Sequence, residues 1–406
     1  MIASPSGAFR AALNYKRKAV NIMMRKQFKI FSGTAAALTA LFIAVFGYFY
    51  AALPCDISVD TGAGFSGGGF SPVVLRQTAE GVSYYLGELP IKTAEVAEKP
   101  RRSVIPCGTP FGIKVRSDGV MVIEVAEDSP ADKAGIKAGD VIVSVNGEEV
   151  RTNSELSEAV QLSPEGTDIV LRRNGGEASV NLVPEDGGGF LKIGAWVRDS
   201  AAGIGTLTFL DPETMMFGGL GHAVSDVTTG GAVPLKSGEI TEAEIYDVVK
   251  GKEGSAGELC GAILPNSDIG ELSGNTPAGV FGRLSAPVEG KTVPVAFRQE
   301  VSAGKAVMLT TVDSGAPREY SIEIERINLL DLNGSKGMVI RITDSGLLEK
   351  TGGIVRGMSG SPILQNGMLV GAVTHVLVSD PTRGYAVFAE SMLDNCKNLT
   401  AMSIID

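Results

Sequence analysis

From Ile30 to Cys55 the chain runs 26 residues without a charged side chain, and no other stretch restricts its fold so strongly. About 20 apolar residues cross a bilayer as a helix, whereas the apolar part of a cleavable signal is only ~7–15 residues. The run therefore predicts an uncleaved signal anchor over 30–55, closing in the aromatic cluster Tyr48-Phe49-Tyr50. Residues 1–29 carry seven basic side chains and no acid. They should stay cytoplasmic, with everything after Cys55 translocated. Leu53-Pro54-Cys55 has proline where a lipoprotein site needs a small residue.

The whole chain carries −10 and its first 29 residues +7, so the translocated body carries −17. Such a body argues against nucleic acid or an anionic membrane surface as its main partner. About 350 residues imply two or three domains. Cys55, Cys107, Cys260 and Cys396 are widely spaced and read as small buried hydrophobes, though an oxidising exterior would permit a disulfide of unreadable pairing. Two histidines and no H-E-x-x-H argue against a metal site, and nothing calls for a cofactor. The glycines between Thr61 and Pro72 predict a flexible tether, and Tyr84-Tyr85-Leu86 and Ile91-Lys92 read as strands, making 56–108 a linker with short strands.

Gly357-Met358-Ser359-Gly360-Ser361-Pro362 is a tight turn between apolar runs. Flanking glycines let a serine stand exposed with N–H groups aimed at an approaching carbonyl, as acyl transfer requires. The bland reading is a hairpin whose Gly-Ser content serves only the turn. The continuation to Val376, with Asn366-Gly367 and Thr374-His375-Val376 in register, resembles the nucleophile segment of chymotrypsin-like serine peptidases. That resemblance implies an oxyanion hole at the N–H groups of Gly357 and Ser359. It also implies that Thr374 and His375 line the specificity pocket. Met358 stands where those enzymes carry an aspartate, so activation by a freed amino terminus is not expected.

Between Pro110 and Pro184, strand-like runs alternate with two short helical stretches and the turns Asn146-Gly147 and Asn174-Gly175. Ser129-Pro130-Ala131 through Ala134-Gly135-Ile136 to Ala138-Gly139-Asp140-Val141-Ile142, followed by Val145-Asn146-Gly147, resembles the PDZ domains attached to bacterial peptidases. The resemblance implies a PDZ domain over 109–184 whose loop at Phe111, Gly112 and Ile113 receives a peptide's terminal carboxylate. It would bind peptide C-termini or the chain itself.

Residues 185–189 read as a linker and 190–406 as a glycine-rich, mainly β domain, suited to a pair of antiparallel barrels. Thr241-Glu242-Ala243-Glu244 reads as a capping box opening one helix that runs through Val249. His222, in a glycine-rich turn, is the candidate general base for Ser359; His375 is the alternative. Spacing leaves the acid open between Asp268 and Asp344.

The anchor, the PDZ segment, Gly221-His222-Ala223-Val224 and Ile342-Thr343-Asp344 ahead of the serine turn together resemble the stage IV sporulation protein B peptidases. The resemblance implies a triad of His222, Asp344 and Ser359 in a chymotrypsin-like double barrel. It implies a serine endopeptidase acting between the two forespore membranes, able to cut and release itself. Its protein substrate would be a membrane-bound regulator whose cleavage frees an intramembrane metalloprotease to process pro-sigma-K. The competing class is a membrane-tethered PDZ scaffold with an inactive peptidase-like domain.

Overall fold

A computed structural model describes residues 7–65, 67–79, 81–331 and 334–402. Helix Gly7–Ala52 is, among the described residues, the one helix long and apolar enough to cross a membrane. Its last turns do not lead into a tether. Strand Asp56–Asp60 follows almost at once and pairs in parallel with Leu89–Lys99, at the edge of a five-stranded sheet. Ile57, Phe70, Val73 and Tyr84 are fully buried in a core continuous with the second barrel, and Phe46, Phe49 and Ala52 pack against it. The expectation of a flexible tether is corrected at Gly68 and Gly69. A Cβ on Gly68 would lie 2.4 Å from the Gln299 carbonyl oxygen, and one on Gly69 2.5 Å from that of Val73. Those two glycines serve close backbone approach rather than flexibility.

The same sheet is fastened by charge. Arg101 donates to both Glu300 oxygens, at 2.9 and 2.8 Å, and Glu390, 5% exposed, accepts from Ser58 and from the Arg298 N–H.

Six strands form the first barrel. The N-terminal half of Pro110–Val125 pairs with Leu235–Val249, which pairs with Glu258–Thr276. Gly279–Leu284, Met216–Gly219 and Ala195–Leu210 continue the ring, and Ala195–Leu210 pairs back onto Pro110–Val125. Phe111, Ile113, Val115, Phe217 and Ile240 fill the interior. Segment 241–249 is strand, not helix. Ile240 and Ile245 bury while Glu239 and Glu242 face out, and pairing with Glu258–Thr276 along the segment, joined by Pro110–Val125 at residues 241–242, outweighs the local capping signal.

The PDZ domain grows out of this barrel. Beyond Gly119 the strand Pro110–Val125 pairs with Val141–Val145, and residues 195–198 of Ala195–Leu210 pair with its end. Strands Thr167–Arg173 and Gly176–Leu182 and helices Pro130–Lys133 and Asn153–Gln161 complete it. Thr152, with Glu155, caps the second helix in a reciprocal box. Asn146 and Asn174 take φ of 51°, each before a glycine with positive φ, as tight hairpin turns require. The short hairpin Glu185–Asp186 with Leu191–Lys192 occupies the 185–189 region.

The second barrel is closed: Gly304–Thr310, Arg318–Ile327, Met338–Ile342, Arg383–Phe388, Met368–Val376, Pro362–Gln365 and back. The protein is thus mainly β, with one apolar N-terminal helix, a PDZ domain and two barrels.

Candidate active site

Ser359 lies where the barrels meet. Its loop is held by the first barrel through carbonyl oxygens. Thr206 N–H donates to the Ser359 oxygen at 2.9 Å, Thr206 Oγ1 to that of Gly357 at 2.8 Å, and Thr208 Oγ1 to that of Gly360 at 2.7 Å. Gly360 has φ 95°, and a Cβ there would stand 2.0 Å from the Thr206 oxygen and 2.5 Å from the Leu220 nitrogen. Only glycine fits. Among the described residues the N–H groups of Gly357 and Ser359 donate to no protein acceptor, while Met358 N–H donates to Val355.

His222 comes from the other side of the junction. Gly221, at φ 69°, brings the chain against the second barrel, where a Cβ would lie 2.9 Å from Thr374 Cγ2. The imidazole packs beside His375, ring centroids 4.8 Å apart and planes tilted by 35°. His222 Nδ1 is 2.8 Å from the Ala223 carbonyl oxygen. Since a carbonyl only accepts, Nδ1 carries the proton and Nε2 has a free lone pair. Burial lowers His222 below the ordinary histidine value, against the opposing effect of that carbonyl. Burial also pushes His375 down to about 4, with His222 and Lys336 adding to it. Both rings are neutral at neutral pH. Ser359 Oγ donates to the Thr374 carbonyl oxygen at 2.7 Å. Ser359, His222, Thr374 and His375 are therefore brought into one cluster.

Asp344 is not brought to it. Its side chain accepts from Leu347 N–H at 2.9 Å as the N-cap of helix Ser345–Thr351. It stands past the end of strand Met338–Ile342, whereas Lys336, the charged neighbour of His375, precedes the strand's start. Asp268 is exposed on Glu258–Thr276, opposite Thr241. Neither carboxylate is among the groups that shift His222.

Phe111, Gly112 and Ile113 form no carboxylate loop. They lie inside a barrel strand paired on both edges, opposite residues 203–205 and 240–242, with both side chains buried. Their resemblance to a loop misled because the same strand runs on into the PDZ sheet. The PDZ domain instead holds a cavity of about 540 Å³ whose lining includes Leu156, Val160, Leu191, Ile193, Trp196 and Val197. Residues 195–197 pair on one edge with 122–125 and border the helix Asn153–Gln161 across this cavity. Gly194 takes a positive φ just before strand 195–210.

Comparison with known proteins bears on this architecture. Residues 189–393, about half the chain, match the family described as SpoIVB peptidase S55. The chain belongs to this family. The S55 match begins after the PDZ segment, so the barrel strand at residues 110–116 precedes it. Residues 121–172 match a PDZ domain. Serine protease HTRA1 of Xenopus laevis is 38% identical over 71 residues, 17% of this chain and 15% of that protein. A probable periplasmic serine endoprotease, DegP-like, of Chlamydia trachomatis is 46% identical over 54 residues, 13% and 11% of the two chains. The chain thus spans less than a fifth of these relatives' length. Among solved structures, the PDZ domain of an SdrC-like protein from Listeria innocua is 31% identical, with TM-score 0.18, over 20% of this chain and 94% of that one. The HtrA-type protease AlgW with decapeptide is 11% identical, with TM-score 0.31, over 53% and 55%.

Proposed function

We propose that this S55 member is a serine endopeptidase in which Ser359 is the nucleophile and His222 the general base. The observation that carries the reading is the meeting of Ser359 and His222 at Thr374-His375, with the N–H groups of Gly357 and Ser359 uncommitted. Ser359 Oγ turns from the Thr374 oxygen to His222 Nε2, gives up its proton there and bonds to the scissile carbonyl carbon. The carbonyl electrons move onto oxygen, held by the Gly357 and Ser359 N–H groups. The C–N bond then breaks and His222 returns the proton to the leaving amine. Water, deprotonated in turn by His222, releases the acyl group. The Ala223 carbonyl fixes the imidazole tautomer, the task an aspartate performs in the Ser-His-Asp arrangement. Thr374 and His375 flank the entering side chain.

The substrate is a protein, and the PDZ groove takes a peptide as an added strand along residues 195–197. Family membership and the N-terminal helix support the fuller reading: a membrane-anchored enzyme of sporulation, its body outside the cytoplasm, cutting itself and a membrane-associated regulator. The Ser359–Thr374 bond favours a second reading, a resting or inactive peptidase domain serving as a scaffold. Labelling of the full chain with a fluorophosphonate separates them. Labelling lost in Ser359→Ala and His222→Ala supports the enzyme; wild type that stays unlabelled supports the scaffold.

A further inference from the structure

His222 belongs to the segment 220–234, which lies between strands Met216–Gly219 and Leu235–Val249. Asp226 organises its centre. The carboxylate is 2% exposed, and its Oδ1 accepts from the N–H groups of Thr228 and Thr229, each at 2.9 Å. Its other oxygen takes the guanidinium of Arg198. Burial acts to raise the Asp226 carboxyl, yet these N–H groups and Arg198 outweigh it and hold it below the usual carboxylate value.

Arg198 comes from the PDZ end of Ala195–Leu210, where it pairs with Met121. The register shifts between Arg198 and Ser200, where the strand leaves the PDZ sheet for the barrel. The intervening Asp199 accepts from Asn153 N–H at 2.9 Å, at the start of the helix that walls the groove. Adjacent residues on one irregular turn of strand thus hold the groove's helix and the base's loop. Trp196, which lines the groove, is two residues away. Bulges re-aim the side chains they carry, so a strand added along 195–197 acts directly on Arg198.

We propose that the Arg198–Asp226 pair is the link by which occupation of the PDZ groove sets the position of His222. Both are positioning residues: they touch neither substrate nor reacting atoms. The inference rests on reading Ser359 and His222 as nucleophile and base. A buried carboxylate that loses its cation becomes costly, so the loop cannot keep its place when Arg198 moves away. Coupling of this kind is reciprocal, and events at Ser359 must be felt at the groove.

Trp196 is the only tryptophan in the chain, so its emission reports on the groove. The full chain is treated with diisopropyl fluorophosphate, and labelling of Ser359 is followed by mass spectrometry. The expected result is a shift of Trp196 emission in wild type on labelling and none in Arg198→Ala, which labels ~10-fold more slowly, with Arg198→Lys recovering part of both. Complete labelling of wild type with unchanged emission overturns the proposal. Hydrogen exchange at amides 222–233 needs no catalysis and should be ~10-fold faster in Arg198→Ala, with the second barrel unchanged. Unaltered exchange there also overturns it. Faster exchange in a protein whose Ser359 never labels supports the link and removes the peptidase reading instead.

Discussion

The two halves of the candidate active site are held in different ways. On the serine side, three hydrogen bonds from Thr206 and Thr208 pin loop carbonyls, and Gly360 lies against backbone of the first barrel. On the histidine side, the ring is held by the carbonyl of its own next residue, and its loop hangs on Asn275 and on Asp226. The serine turn is overdetermined; the histidine is placed by a loop that a distant domain can reach. With the roles proposed above, the fold holds firm around Ser359 while control acts on His222.

The sharpest break of this comparison is the choice of base. His222→Ala should lower turnover of a peptide substrate by at least ~10⁴, and His375→Ala by far less, since only His222 has an Nε2 fixed as acceptor. The reverse ranking in equally stable proteins would exchange the roles of the two rings.

Next in size is a pair of glycine substitutions. Gly360→Ala puts a Cβ into the Thr206 carbonyl at a positive φ and should cost ~3 kcal/mol in denaturant unfolding, with loss of labelling. Gly230→Ala in the histidine loop has φ 70° but nothing within 4 Å, and should cost ~1 kcal/mol. Equal costs would mean the serine side is no more tightly held.

A third test uses pH. His375 titrates at about 4 when folded, mainly through burial, against ~6.5 unfolded. The unfolded chain binds the proton more readily, so stability rises with pH. The contribution is complete above ~6.5 and is lost as pH falls toward 4. Urea midpoints should drop across that window, and His375→Phe should flatten the drop; an unchanged slope would deny the ring its buried, neutral state.

The smallest effect is expected at Asp344. Asparagine caps a helix as well as aspartate does, so Asp344→Asn should leave stability unchanged and turnover within about tenfold, against ~10⁴ for an acid that fixes the tautomer. A loss near the larger figure would restore the triad that the family resemblance implies.

Local signals were legible in the sequence. The serine turn, the histidine turn and the Asn-Gly hairpins depend on a few adjacent residues with fixed backbone demands. What escaped depends on distant partners. Thr241-Glu242-Ala243-Glu244 carries a helix start, but barrel strands wait on both of its edges. Gly68 and Gly69 look flexible until Gln299 and Val73 are seen against them. Phe111-Gly112-Ile113 is strand-like locally, and only the PDZ resemblance makes it a loop; nothing local tells that residues from 203 and 240 onward will flank it. Asp344 matches a catalytic context, and its competing bond to Leu347 N–H is equally local. Deciding between those two needed the position of His222.

The strand shared by the barrel and the PDZ domain has a consequence for how such a chain could arise. Arg116 and Ser200 are paired neighbours across Pro110–Val125 and Ala195–Leu210, and the PDZ domain lies between them. A two-residue reverse turn would close that gap and leave an uninterrupted β-hairpin in the barrel. An ancestral gene therefore needs no PDZ module: one insertion at a hairpin tip adds it, in frame, with the ring of six barrel strands left unbroken.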